Sequence, residues 1–305
     1  SDQKSESMEG EKVSIQEESL ASLIKKREKL LNDLKECRSM IEEINRKIAQ
    51  LSASSGDPVP DDGEYGVKAS TGIDKLDLLL DGGLPVPSNV VIKGAPYSSK
   101  FTISSNFIAK SLYSGYPVVL FLIDRDWGSL RRDLQKIGSP VDTFLDSGML
   151  RVLDAFSQSV QIEADKRLVQ IEAPSNISNF LKFADQHCTS VKNAFGTYRC
   201  AVISLTGWIA SADPKLLSRS IQHFSQRRKI DGATSIYLLD SGIYEESVYE
   251  EINYFMDGVI ELNNQENTEY LRVRGIRDVR TREWVDIRPA GNTIDLGSFN
   301  IKRIK

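Results

Sequence analysis

The sequence predicts an α/β domain on a mainly parallel central sheet, with an antiparallel C-terminal edge and a long N-terminal helix ahead of it. Three observations predict this. Four compact apolar runs, NVVIK (89–93), PVVLFLID (117–124), YRCAVISL (198–205) and TSIYLLD (234–240), read as strands buried on both faces. Segments of helical period separate them, at about 101–114, 128–137, 177–191 and 214–228. Three further strand-like runs follow in close succession, DGVIELN (257–263), EYLRVRGIR (269–277) and REWVDIR (282–288), and such spacing suits an antiparallel edge.

Ahead of the domain, residues 1–13 are a polar tail without the apolar core of a signal peptide. Residues 14–51 read as a coiled-coil helix. Apolar positions step alternately by three and four through Leu20, Leu23, Arg27, Leu30, Leu34, Cys37, Ile41, Ile44, Ile48 and Leu51, with Arg27 alone breaking the seam. A lone helix with this face would leave much apolar surface in water, so it needs a partner. Self-association, or another protein's helix, is the expected partner, through Leu20, Leu23, Leu30, Leu34, Ile41, Ile44, Ile48 and Leu51; docking on the chain's own body is the alternative. Residues 52–65, rich in Ser, Gly, Pro and Asp, form a linker. The domain proper is expected over 66–305, long enough to bury a core without disulfides or metal.

Composition narrows the function classes. With 40% hydrophobic and 27% charged residues the chain reads as soluble and globular. No apolar run reaches the roughly 20 residues needed to span a bilayer. A net charge of −4 gives no overall basic footprint for nucleic acid, and DNA is disfavoured as a partner. Three cysteines, Cys37, Cys188 and Cys200, lack metal-ligand spacing, and His187 beside Cys188 makes a poor ligand pair. No metal site and a reducing, cytoplasmic home are expected.

The stretch GAPYSSKFT, Gly94 to Thr102, lies between the first strand and the first helix of the domain. A phosphate-binding loop belongs there: glycines turn backbone N–H groups toward phosphate, a lysine reaches the outer phosphates, and a hydroxyl at the helix start holds magnesium. Gly94 and Lys100 have the spacing of G-x-x-x-x-G-K-[ST]. The second glycine is Ser99, however, and the metal hydroxyl is Phe101. Thr102 comes one residue late, about 100° round the helix. The plain alternative is a strand–turn–helix loop with an exposed lysine.

The surroundings of this loop resemble the RecA superfamily, and specifically its KaiC-like branch. In STGIDKLDLLLDGGLPVPSNVVIKGAP (70–96), Thr71, Gly72, Leu76, Asp77, Gly82, Gly83, Leu84 and Pro85 match that branch in order, and Gly94, Pro96 and Lys100 continue the match. In VVLFLIDRDWGSLRRDLQKIG (118–138), Leu130, Arg131, Arg132 and Gly138 fall in register. The likeness covers about 66–290, and the N-terminal helix lies outside it.

The resemblance implies a RecA-like P-loop fold, and it makes the departures informative. Active relatives carry paired glutamates that activate water; their positions here hold Asp124 and Arg125. Ser204 stands where a magnesium-holding aspartate is expected. The closing lysine–arginine motif, which in ring-forming relatives reaches a neighbour's nucleotide, reads RGIRD, with Gly275 in the lysine's place and Arg277 as the surviving arginine. Degenerate Walker motifs of this kind imply a pseudo-ATPase: an assembly, signalling or regulatory module, in an archaeal or bacterial cytoplasm, with no catalytic or metal-binding residue assigned. ATP or ADP is the ligand such a loop could retain, with Gly94, Pro96, Tyr97, Ser98, Ser99, Lys100, Phe101, Thr102, Asp124 and Arg277 as its contacts. Tyr97 and Phe101 either plug the loop or present a contact to another protein. Two alternatives stay open: a slow regulatory ATPase, and a recombinase-like DNA binder using Arg272, Arg274, Arg277, Arg280, Arg282 and Arg288.

Overall fold

The computed structural model describes residues 68–299 and nine positions between 22 and 40. The chain divides into two units, Ser1–Val59 and Pro60–Lys305. In the first unit, the nine described positions are helical and exposed. Among the heptad residues only Leu30 is described; the rest of the expected seam, and the linker at 52–65, lie outside the described residues.

In the second unit, β1 (Lys68–Ala69) and β2 (Leu84–Pro85) pair antiparallel and enclose the short helix α1 (Asp74–Leu79). The matched motif residues have structural roles here. Asp77 accepts from the Thr71 amide and hydroxyl, both at 2.7 Å. Gly83, at φ +129°, passes so close that a Cβ would lie 2.4 Å from the Ala69 carbonyl.

Among the described residues the main sheet has ten strands. Its parallel body orders β9 (Gly258–Gln265), β3 (Ser88–Gly94), β8 (Thr234–Asp240), β7 (Arg199–Ile203), β4 (Val118–Leu122), β5 (Leu150–Asp154) and β6 (Val169–Gln170). The apolar runs form strands because every residue of β4 and β7 is buried. On one face Phe121 of β4 and Tyr237 of β8 meet Phe180 of α6 (Ile177–Phe195) and Phe224 of α8 (Pro214–Ile230). Trp208, from α7 (Leu205–Ser211), completes this aromatic cluster, 4.7 Å from Phe180 in an edge-to-face pair. Along the chain α2 (Lys100–Tyr113) follows β3, α3 (Trp127–Lys136) and α4 (Val141–Asp146) follow β4, α5 (Phe156–Ser159) follows β5 and α9 (Glu246–Tyr254) follows β8.

The C-terminal edge is antiparallel, with β9 pairing β10 (Thr268–Arg274), β10 pairing β11 (Val285–Ala290), and β11 pairing β12 (Thr293–Leu296). Two details differ from the sequence reading. β9 itself runs parallel to β3, so the reversal begins only at β10. β12 was not expected: it is four residues long, with just two apolar side chains, and periodicity needs more length than that.

Among the described residues, no helix is long and apolar enough to cross a membrane.

Candidate functional site

The loop from Gly94 to Lys100 sits where β3 ends and α2 begins, at the carboxyl ends of the parallel strands. Gly94 is needed by close approach: a Cβ there would fall 2.5 Å from Ser98 Oγ and 2.9 Å from the Leu262 side chain of β9. Ser98 N closes the turn on Ala95 O at 3.1 Å. Tyr97 takes φ +67° and is fully exposed, so it does not plug the loop.

Lys100 is not an exposed lysine, and this corrects the plain alternative drawn from sequence. Its side chain has no solvent exposure and its ammonium lies 2.6 Å from Asp240 Oδ1. It also donates to Ala95 O at 2.7 Å. Asp240 is the last residue of β8, directly beside Gly94 in the parallel register. Its amide donates to Thr206 Oγ1 at 2.9 Å, and its carbonyl accepts from the Tyr249 hydroxyl at 2.9 Å. A buried ammonium is tolerable only when paired in this way.

Ser99, the residue in the second glycine's place, is the N-cap of α2 and makes no side-chain cap bond of its own. Its amide donates to Glu269 Oε1 at 3.0 Å, and its hydroxyl donates to Glu269 Oε2 in a short bond. Glu269 comes from the start of β10, opposite Asn264 of β9. The positive end of α2 is therefore neutralised by a carboxylate 170 residues away in sequence.

Phe101, in the metal hydroxyl's place, is half-buried between two cations. The Arg125 guanidinium stacks on its ring at 4.1 Å and the Lys100 ammonium lies 5.1 Å from the ring centre. Arg125 is held from the other side by Asp133 at 2.5 Å. The neighbouring Asp124 leaves the end of β4 and crosses to the end of β7. It accepts from Ser204 Oγ at 2.5 Å and from the Gly207 amide at 2.9 Å. A Cβ at position 207 would meet Asp124 at 2.6 Å, so only glycine admits this contact. Thr102 turns to a cleft of about 360 Å³ that also touches Ser99, Phe101, Ser105 and the β11–β12 turn.

Of the residues expected to act together, the structure brings Gly94, Ser98, Ser99, Lys100 and Phe101 into one loop and stacks Arg125 on it. Arg277 is elsewhere. Arg274 pairs with Val259, which lies beside Val91 midway along β3; Gly275 then packs against Asp257, whose amide donates to Asn89 O near the start of β3, and Arg277 continues beyond it. It therefore stands at the opposite end of the sheet from the loop of its own chain. Asp240, Glu269 and Gly207 were missed. Asp240 had a signal, an acidic residue closing the strand TSIYLLD; Glu269 had none, because its contact depends on the fold of the distant edge.

The donor set does not fit magnesium. Phe101 offers no oxygen, and Ser204 carries no charge and is bonded to Asp124. Among the described residues no group of three His, Cys, Asp or Glu side chains is placed to hold a metal ion.

The basic residues of the C-terminal edge carry their own counter-charges. Arg272 and Arg274 bind Glu261 at 2.6 and 3.1 Å, and Arg272 also stacks on Trp284. Arg280 pairs with Asp81 and Arg288 with Asp286.

Comparison with known proteins adds the following. A family model described as "ATPase: KaiC" matches residues 69–295. A UPF0273 protein of Methanopyrus kandleri is 25% identical over 202 residues, covering 65% of this chain and 77% of that protein. The circadian clock oscillator protein KaiC of Parathermosynechococcus lividus is 26% identical over 106 residues, 35% of this chain and 20% of that protein. Among solved structures, a KaiC-like protein of Pyrococcus horikoshii OT3 superposes with a TM-score of 0.61 at 20% identity, over 76% of this chain and all of that one.

Proposed function

This chain belongs to the KaiC family of ATPase domains, and within it we propose a pseudo-ATPase: a RecA-like domain kept as an assembly or regulatory module rather than for turnover. The observation that carries this reading is the Phe101–Arg125 stack. Phosphoryl transfer is almost wholly a matter of positioning and charge stabilisation. Here a benzene ring stands at the metal hydroxyl and a guanidinium at one position of the water-activating pair. A guanidinium stays protonated and cannot serve as a base. Asp124, the remaining acid, is one methylene shorter than glutamate, and displacements of about 1 Å can cost on the order of 100-fold in rate. Its engagement with Ser204 and Gly207 gives it a capping role instead.

The slow-ATPase reading rests on Asp124 still being a carboxylate at the end of β4. The DNA reading loses its motive, since Arg272, Arg274, Arg280 and Arg288 are paired within the chain. For the module itself, the heptad pattern from Leu20 to Leu51 supplies the assembling element.

The test is ATP turnover in the wild type and in Lys100→Ala. Equal, background-level phosphate release in both supports the reading. Turnover that vanishes with Lys100 overturns it in favour of the slow ATPase. Sedimentation of the full chain and of a chain lacking residues 1–56 tests the assembly role; a monomer at all micromolar concentrations, with partners retained after truncation, removes it.

A further inference from the structure

We propose that Glu269 is a built-in competitor for the phosphate loop: its carboxylate holds the amide and hydroxyl of Ser99, and a phosphate-bearing ligand engages the loop only by displacing it. This rests on the reading of the loop as a non-catalytic remnant, and deepens it by naming the residue that governs what the loop accepts.

α2 has fourteen residues and an N-cap serine that makes no side-chain cap bond, and its first turn holds no acidic residue. Its positive end thus lacks the local compensation a helix start usually carries. Glu269 supplies it from another part of the fold, both carboxylate oxygens engaged by one residue. The position is not a chance reach of a surface side chain. Glu269 is fixed at the second residue of β10, between Asn264 of β9 and Ile287 of β11, so backbone ladders on both sides aim it.

A second contact of the same kind lies next to it. Lys100, the other phosphate-seeking group of the loop, is saturated by Asp240 from β8. Two carboxylates from two different strands therefore occupy the donors that a phosphate chain would use. They are not equivalent. Asp240 neutralises a fully buried ammonium, and removing it would strand that charge. Glu269 binds a neutral amide and hydroxyl at a half-buried site, so it can leave without stranding a charge. Glu269 is the contact that can yield to a ligand; Asp240 is the one that keeps the loop folded.

The experiment titrates ADP calorimetrically, without magnesium, into wild type, Glu269→Gln and Glu269→Ala. Hydrogen exchange at the Ser99 amide is followed in each variant. Charge-assisted hydrogen bonds of this type lead us to expect about tenfold or more tighter ADP binding in Glu269→Ala than in wild type. Glu269→Gln, which drops the charge but keeps an acceptor, falls between. Ser99 exchanges faster once Glu269 is gone. Equal ADP affinity in wild type and both Glu269 variants overturns the proposal, as does no binding in any of them or unchanged Ser99 exchange. If Glu269→Ala does not fold, Glu269→Gln carries the decision, with a gain in affinity for and none against. ATP turnover reports separately: lysine-dependent hydrolysis in wild type sinks the non-catalytic reading, whereas the ADP affinities judge Glu269.

Discussion

Lys100 is the residue whose role changed most between sequence and structure. Its spacing from Gly94 was legible, and so were the departures at Ser99, Phe101, Arg125 and Ser204, because each falls at a fixed offset from a strand end. Its burial was not legible, since the partner Asp240 arrives from a strand that only the sheet order places alongside. Removing one member of a buried pair leaves the other unpaired. Lys100→Ala should therefore cost about 3 kcal/mol in urea unfolding, where a surface lysine would cost under about 0.5 kcal/mol. A second residue-scale expectation concerns thiols. Cys188 and Cys200 are free and buried, and burial pushes the Cys188 thiol up to about 11. Both stay protonated at pH 8, and the thiolate is the reactive form. A Cys37→Ser variant should then be silent to a thiol-reactive disulfide reagent at pH 8 until denaturant is added; prompt reaction in the native state would contradict the burial.

At the scale of elements, the strands and helices of the parallel body announced themselves by long apolar runs and helical period. The edge was harder. Alternating arginines on and between β10 and β11 suggested a basic face, but Arg272 and Arg274 find Glu261 on β9, Arg280 finds Asp81 in the loop after α1, and Arg288 pairs with Asp286 of its own strand. Glu261 of β9 is the hub, buried and held by Lys93 at 3.5 Å, Arg272 and Arg274. Burial works to raise its pKa, yet the Arg272 hydrogen bond and the three nearby cations outweigh it and hold the carboxyl below its ordinary 4.5. A depressed carboxylate gives stability that is present above the ordinary value and lost as pH falls through the folded one. Glu261→Gln should cost about 2 kcal/mol at pH 7, and the gap to wild type should close as the medium is taken below pH 4. A gap that persists in acid would mean packing, not charge, is responsible. With its arginines so paired, the edge should show no salt-dependent binding to duplex DNA.

For the whole molecule, the fold class followed from sequence alone: a RecA-like α/β sheet with an antiparallel C-terminal edge is what the structure has. What pattern could not give was which end of the sheet each late motif occupies. Arg277 lies off the end opposite its own loop, so any reach to a phosphate loop has to be toward another copy. A ligand present at 100 times its dissociation constant raises stability by about 2.7 kcal/mol. In wild type, millimolar ADP should move the melting temperature by less than about 2 °C. A rise of about 5 °C or more would show that the loop binds nucleotide as it stands.

The Lys100–Asp240 pair has a consequence for how the protein lives in a cell. A loop that borrows its counter-ion from a metabolite ties the folded population to metabolite supply. Here the counter-ion is encoded in the chain, at the end of the neighbouring strand. Draining the adenylate pool would therefore leave the charge balance of this loop untouched.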